Sequence, residues 1–377
     1  MSHAKVPEPL EAFGRDISEI KALYKEVRSI PNDSNLEFAH HSAMLAGGYW
    51  LRAFWREQLQ EIWNVELILD PFSRMERSVQ LVDAVYCTIY ALAKERFGAG
   101  AMQRVGLVTY GSCGRGEYVP GSDFDARIIF CDGETPTDAL QFISNVTGFV
   151  FSHRADLMPS VQKLHFDAAS EQEQGFNRSL LEERFVGGSV EEWQNWRKQF
   201  FEKMIKHLTP FLKAQCTSYE RRVDRLKPFC AESLPIDIRE NLGGLRDFQA
   251  VRSLGMTLLV DHTKSIDDVV AFVAWPEKRV RDVLVADDVV DADSLESALE
   301  AYRFLLTVRV AAHSHIISRD NLWIATIALG YPSTYALLQK LGIVRESLFR
   351  FSCNTFRNGM EAYFRRRKAE GKNKKHD

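Results

Sequence analysis

The chain has 377 residues, 45% of them hydrophobic and 26% charged, with a formal net charge of −3. A core of that size needs no crosslinks, and the charge balance excludes the global basic field that attracts long nucleic acid. The six cysteines form no CxxC and no zinc-finger spacing, so they read as reduced thiols. With no signal-peptide pattern and no run near roughly 18 apolar residues, the expectation is a cytoplasmic protein without a membrane span.

In chain order, residues 1–100 read as an N-terminal helical region. Leu, Trp and Phe recur at three- and four-residue spacings from Glu37 to Glu66. Val79, Leu81, Val82, Val85, Ile89, Leu92 and Ala93 form a second apolar stripe. The pattern changes at VGLVTYG (105–111), a β-rich apolar run after a glycine-containing connection, and again at FDARIIF (124–130). Thr137 or Asp138 can cap a helix over ALQFISNVTGFVF. Residues 153–166 leave room for one more strand.

From Ser179 onward the pattern is helical, with breaks expected at Pro210, Pro228, the 234–245 loop, Pro276 and Gly330-Tyr331-Pro332. The end, RRRKAEGKNKKHD, is basic and poor in apolar residues, which predicts a flexible, solvated tail over 366–377; a weak nucleic-acid arm is the other reading. The fold class is therefore α+β, a small mixed β-sheet embedded in a mostly α-helical protein. Its expected divisions are 1–100, an α/β core over 101–178, and a helical domain over 179–365.

The chemistry lies in VGLVTYGSCGRGEYVPGSDFDARIIF (105–130). A strand runs into Gly111-Ser112, the chain turns through Gly114, Arg115 and Gly116 and again at Pro120-Gly121, and a second strand carries Asp123 and Asp125. Residues two apart on a strand share a face, roughly 6–7 Å apart. Two carboxylates so placed repel unless a divalent cation holds them, and magnesium prefers carboxylate and phosphate oxygens. Backbone amides at the glycine turn suit phosphate, Ser112 adds a hydroxyl, and Arg115 can reach a triphosphate oxygen. Asp-x-Asp alone also occurs on surface strands; the Gly-Ser ten residues upstream gives it meaning.

This segment resembles the signature of DNA polymerase β-type nucleotidyltransferases: Gly-Ser or Gly-Gly, a spacer, then Asp-h-Asp, where h is hydrophobic. It is especially similar to the version in bacterial PII uridylyltransferases. Residues 237–249, DIRENLGGLRDFQ, resemble a second block of that family. SLLEERFVGG (179–188) and FLLTVRVAAHSHIISRDNL (304–322) match more loosely.

The resemblance implies a nucleotidyltransferase core in which Asp123 and Asp125 bind magnesium, as two ions, with manganese able to substitute. Gly111 and Ser112 would grip the β- and γ-phosphates. A third catalytic carboxylate is expected from a neighbouring strand, with Asp156 the first candidate and Asp167 the second. Arg246 would contact nucleotide phosphate, the alternative being a helix-start turn with a structural Arg246–Asp247 pair. Arg309 and His313 share a helix face, as cleft lining or as an interior pair.

The implied activity moves a nucleoside monophosphate from UTP or ATP to a protein hydroxyl, with a PII-like acceptor, and releases pyrophosphate. Transfer to a small molecule or an RNA end, or a non-catalytic nucleotide-binding role, remain the alternatives. Full-length members of that family also carry an HD hydrolase and two ACT domains. The sequence shows no internal His-Asp dyad, so transfer without removal or glutamine control is expected.

Overall fold

A computed structural model describes residues 36–63, 71–120, 122–130, 137–167, 171–226, 234–263, 266–270, 277–312 and 316–373. The expectations for residues 1–35, Gly121, Pro228, Pro276, His313 and residues 374–377 lie outside these. The chain forms two compact units: residues 1–66, 72–160 and 183–196 make the first, and residues 67–71, 161–182 and 197–377 the second.

In the first unit, helices α1 (Leu36–Trp63) and α2 (Pro71–Phe97) precede the short α3 (Ala99–Met102), strand β1 (Val105–Thr109) and the turn helix α4 (Gly111–Gly114). Strand β2 (Ala126–Phe130), helix α5 (Thr137–Phe151) and strand β3 (Asp156–Leu157) follow. After helix α6 (Glu171–Leu181) of the second unit come β4 (Arg184–Gly188) and the start of α7 (Val190–Lys206). The mixed sheet has the order β3-β2-β1-β4; β1 is antiparallel to both neighbours, and β2 runs parallel to β3. Every residue of β1 is buried, as a central strand requires.

Strand β4 arises in a stretch expected to be helical. Arg184-Phe185-Val186-Gly187-Gly188 is a short β-forming run, and pairing with β1 (Thr109↔Arg184, Gly106↔Gly188) decides its state. Beneath the sheet, α2 buries the predicted stripe, including Val79, Val82, Val85 and Ile89. Trp63 donates its indole N–H to Ser78 at 2.8 Å, tying α1 to α2.

The second unit holds α6, most of α7, α8 (Leu208–Arg225), β5 (Ile236–Asp237), α9 (Leu245–His262), α10 (Ile266–Val270), α11 (Glu277–Ala286), α12 (Ala292–Ala312), β6 (Ile316–Ile317), α13 (Arg319–Ala328) and α14 (Thr334–Asn373). Helix α9 is its axis: between Leu245 and Val260 only Arg246 and Arg252 escape burial. A helix apolar on nearly all sides must be enclosed by others, and α8, α11, α12 and α14 pack on it.

Two boundary expectations change here. Pro210 lies in the first turn of α8 rather than at a break, a place where its missing N–H leaves no helical acceptor unfilled. Of the expected tail, residues 366–373 continue helix α14, and at the start of that stretch Arg366 pairs with Asp261 and Asp287 and Arg367 with Asp261 at 2.6 Å. Among the described residues no helix is long and apolar enough to cross a membrane.

Candidate active site

The site begins with one buried ring. Phe124 is 2% exposed, stacked on Phe151 of α5 at 3.9 Å between centroids and met edge-on by Tyr86 of α2 at 5.5 Å. Successive side chains of an extended segment point opposite ways. Anchoring Phe124 in the core therefore turns Asp123 and Asp125 to the other side. The two aspartates immediately precede β2 rather than lying within it. The ladder reaches back one residue, since the Tyr110 amide donates to the Asp125 carbonyl at 3.0 Å.

Gly111 adopts φ +59°, and a Cβ there would lie 2.2 Å from Oδ2 of Asp125. The carboxylate thus rests over the bare Cα, and only glycine provides that seat. Behind it the turn is closed by backbone hydrogen bonds: Gly114 N–H to Tyr110 O (3.1 Å), Arg115 N–H to Gly111 O (3.1 Å) and Glu117 N–H to Ser112 O (2.7 Å). Ser112 and Cys113 are buried within it.

Asp123 is open to solvent, with 63% of its side chain accessible, and Nε2 of His153 lies 3.4 Å from its Oδ1. Asp156 opens β3 opposite Arg127. Burial raises the Tyr110 phenol above its ordinary value; Arg127 acts against that rise, while Asp125 and Asp156 add to it. Both carboxylates therefore act on the same phenol. Arg127 itself lies 4.7 Å from the Tyr110 ring centroid and is 8% exposed.

Arg115 is not extended towards solvent. Its Nε donates to Glu117 Oε2 at 2.8 Å, and both side chains are nearly enclosed. Gly111, Ser112, Arg115, Asp123, Asp125 and Asp156 belong to the first unit, whereas Asp167 and Arg246 belong to the second. His153 had no signal in the sequence. It follows Ser152, a left-handed residue (φ 64°) at the end of α5, and only the folded turn brings it to Asp123.

In the second unit, the 237–249 block is a pinned loop that runs into the first turns of α9. Oδ1 of Asp237 accepts the Arg239 and Glu240 amides, each at 2.8 Å. Asp247, fully buried, accepts from Arg222 Nε at 3.0 Å and from the Gly243 amide at 2.6 Å. Asp247 is therefore paired with Arg222, not Arg246; Arg246 donates instead to Glu240 at 3.0 Å. Gly243, at φ +71°, lies so close to the Arg345 carbonyl that a Cβ would be 1.9 Å from it. Arg345 also donates to the Leu242 carbonyl at 2.6 Å. Arg309 is buried on α12.

A hard divalent cation takes oxygen ligands and keeps few from protein when phosphates supply the rest. Among the described residues no group of three or more His, Cys, Asp or Glu could hold a metal by itself. Asp123 and Asp125 nonetheless suit a cation shared with a triphosphate: one carboxylate is accessible, and the other occupies a cradle that any Cβ would fill.

Two similarities bear on this geometry. Residues 72–152 match a protein family described as "Putative nucleotidyltransferase DUF294", a span running from α2 to the end of α5 and containing Gly111, Ser112, Asp123 and Asp125. The chain is also 26% identical over 200 residues to the bifunctional uridylyltransferase/uridylyl-removing enzyme of Chromobacterium violaceum. That alignment takes in 52% of this chain and 22% of the enzyme, so the chain spans about a fifth of its relative. Together they support an enzyme of the nucleotidyltransferase kind, close to the PII uridylyltransferases.

Proposed function

We propose that this nucleotidyltransferase, uridylyltransferase-like in sequence, moves a nucleoside monophosphate from UTP or ATP to a protein hydroxyl and releases pyrophosphate. The observation that carries the proposal is the Asp125 carboxylate seated on Gly111 at the mouth of the glycine turn. Asp123 and Asp125 would hold Mg²⁺, as two ions, with Mn²⁺ able to substitute. Bound there, the metal would supply positive charge against the negative charge that develops on the attacking and leaving oxygens.

The chain's own groups do the rest. Gly111 and Ser112 grip the β- and γ-phosphates, and the pinned turn keeps them from rearranging during transfer. Asp156, exposed beside β2, takes the proton of the acceptor hydroxyl. Arg115 contributes by exchanging Glu117 for a phosphate oxygen. Arg246 lies in the second unit, 40% exposed and paired with Glu240, and is given no part in this step. A PII-like protein is the proposed acceptor and the cytoplasm the proposed setting, which the free thiols of Cys87, Cys113, Cys216 and Cys353 support.

Labelled UTP, ATP, GTP and CTP, each with magnesium and cell extract, test the proposal. The expected result is label on a protein from wild type, with at least a hundredfold loss (~10²) in Asp123→Asn and Asp125→Asn. Label found in RNA or a metabolite would overturn the acceptor; label independent of metal and of both aspartates would overturn the site.

A further inference from the structure

Arg184 opens β4 directly beside Thr109, the last residue of β1 before the glycine turn. Its guanidinium is forked onto Asp83 of α2, with Nη2 2.8 Å from Oδ1 and Nη1 bonded to Oδ2. Nη2 reaches two further acceptors: Thr109 Oγ1 at 3.4 Å and the Cys113 carbonyl at 3.2 Å. That carbonyl also accepts the Gly116 amide at 3.2 Å. One planar cation thus joins α2, the end of β1 and the interior of the turn.

We propose that Arg184, locked in place by Asp83, is a positioning residue that fixes the glycine turn from behind and so keeps Gly111 beneath the Asp125 carboxylate. The inference rests on the nucleotidyltransferase reading of that turn. A guanidinium suits the task because its donors spread in a fixed plane, so two can hold the carboxylate while one still reaches a carbonyl. An ammonium at this place would keep the charge but not the fork. Without the cation, Asp83 is left half-buried and the Cys113 carbonyl loses its side-chain donor. The turn can then shift relative to Asp125.

A purely structural ion pair in the same unit provides the comparison. Arg104, just before β1, bonds Glu192 of α7 at 2.9 Å, at the opposite end of the strand from the turn. Both pairs tie helices to the sheet; only the first also grips the turn.

The test compares Arg184→Gln, Arg184→Lys, Asp83→Asn and Arg104→Gln in the full chain. Three quantities are read: nucleotide affinity by calorimetry with magnesium, KM and kcat for the triphosphate, and amide hydrogen exchange over residues 111–116. Arg184→Gln is expected to weaken nucleotide binding and raise KM about tenfold or more, with faster exchange in the turn. Arg184→Lys and Asp83→Asn should fall between it and wild type, and Arg104→Gln should lower the melting temperature while leaving KM and turn exchange alone.

If Arg184→Gln does not fold, the lysine and Asp83 variants decide. Unchanged exchange and affinity in the folded Arg184 variants, with a melting loss like that of Arg104→Gln, would overturn the proposal. A wild type that binds no triphosphate would instead sink the nucleotide reading, and the exchange data would still report on positioning.

Discussion

Replacing Gly111 by alanine would put a methyl group 2.2 Å from Oδ2 of Asp125 and 3.1 Å from its Cγ, at a φ of +59°. Two costs follow, and they separate. The left-handed backbone costs about 1–2 kcal/mol for any residue bearing a Cβ. The carboxylate oxygen must also retreat by about 1 Å to reach ordinary contact, and a displacement of that size at a reacting centre costs on the order of 10²-fold in rate. Gly330 supplies the control: it has φ +68°, follows α13 in the second unit, and a Cβ there meets nothing within 4 Å. Gly330→Ala should therefore lose stability by a similar backbone term and keep its rate. The assay is initial-rate pyrophosphate release with saturating triphosphate and magnesium, normalised to the folded fraction from thermal melts. Expected are comparable melting losses, with a rate fall of about a hundredfold in Gly111→Ala alone. A Gly111→Ala enzyme within threefold of the Gly330→Ala rate would refute the claim that the glycine exists to seat Asp125.

Two further predictions concern the pinned loop. Asp247→Ala leaves Arg222, 10% exposed, without its buried partner, and should destabilise the second unit by about 3–5 kcal/mol, read from the denaturant midpoint. A loss below about 1 kcal/mol would show that the pair does not hold the loop. Burial pulls the Glu240 carboxyl upward, but Arg246, Arg239 and Arg222 outweigh it and leave the group below its ordinary value. Its contribution to stability is thus present above roughly pH 4, the ordinary glutamate range, and is lost as pH falls through the lowered value. Thermal melts between pH 7 and 3 should show a steeper acid decline in wild type than in Glu240→Gln; parallel curves would contradict it.

The arginines show what the sequence leaves open. In the sequence, Arg115 and the 366–367 pair read as cations open to phosphate or solvent, and Arg246 as either a phosphate contact or the partner of Asp247. In the structure they meet Glu117, Glu240, and Asp261 with Asp287. A guanidinium partly removed from water needs a carboxylate, and its partner can come from any distance along the chain. Here the separations are two, six and about a hundred residues. Only the first two could have been noticed in the sequence. The third joins the end of α14 to counter-charges on α9 and just beyond α11, which the basic run by itself does not reveal. Strand β4 was missed for the same reason, since a five-residue run acquires its state from pairing with β1.

What the sequence did disclose is local. Gly111 and the Asp-Phe-Asp triplet lie within fifteen residues, and the alternation around Phe124 follows from one buried ring. The outer parts of the proposed site obey a different rule. Asp156 is placed by the parallel register Arg127↔Asp156, His153 by the left-handed Ser152, and Arg184 by the pairing Thr109↔Arg184. Each depends on which strand lies beside which, and no spacing in the chain encodes that. A signature of this kind therefore points to the proposed metal-binding carboxylates before it points to their supports. The supports are where a chain can keep the glycines and aspartates and still lose the reaction: with Arg184 and Asp83 gone, the same local pattern would remain intact on a turn no longer held against Asp125.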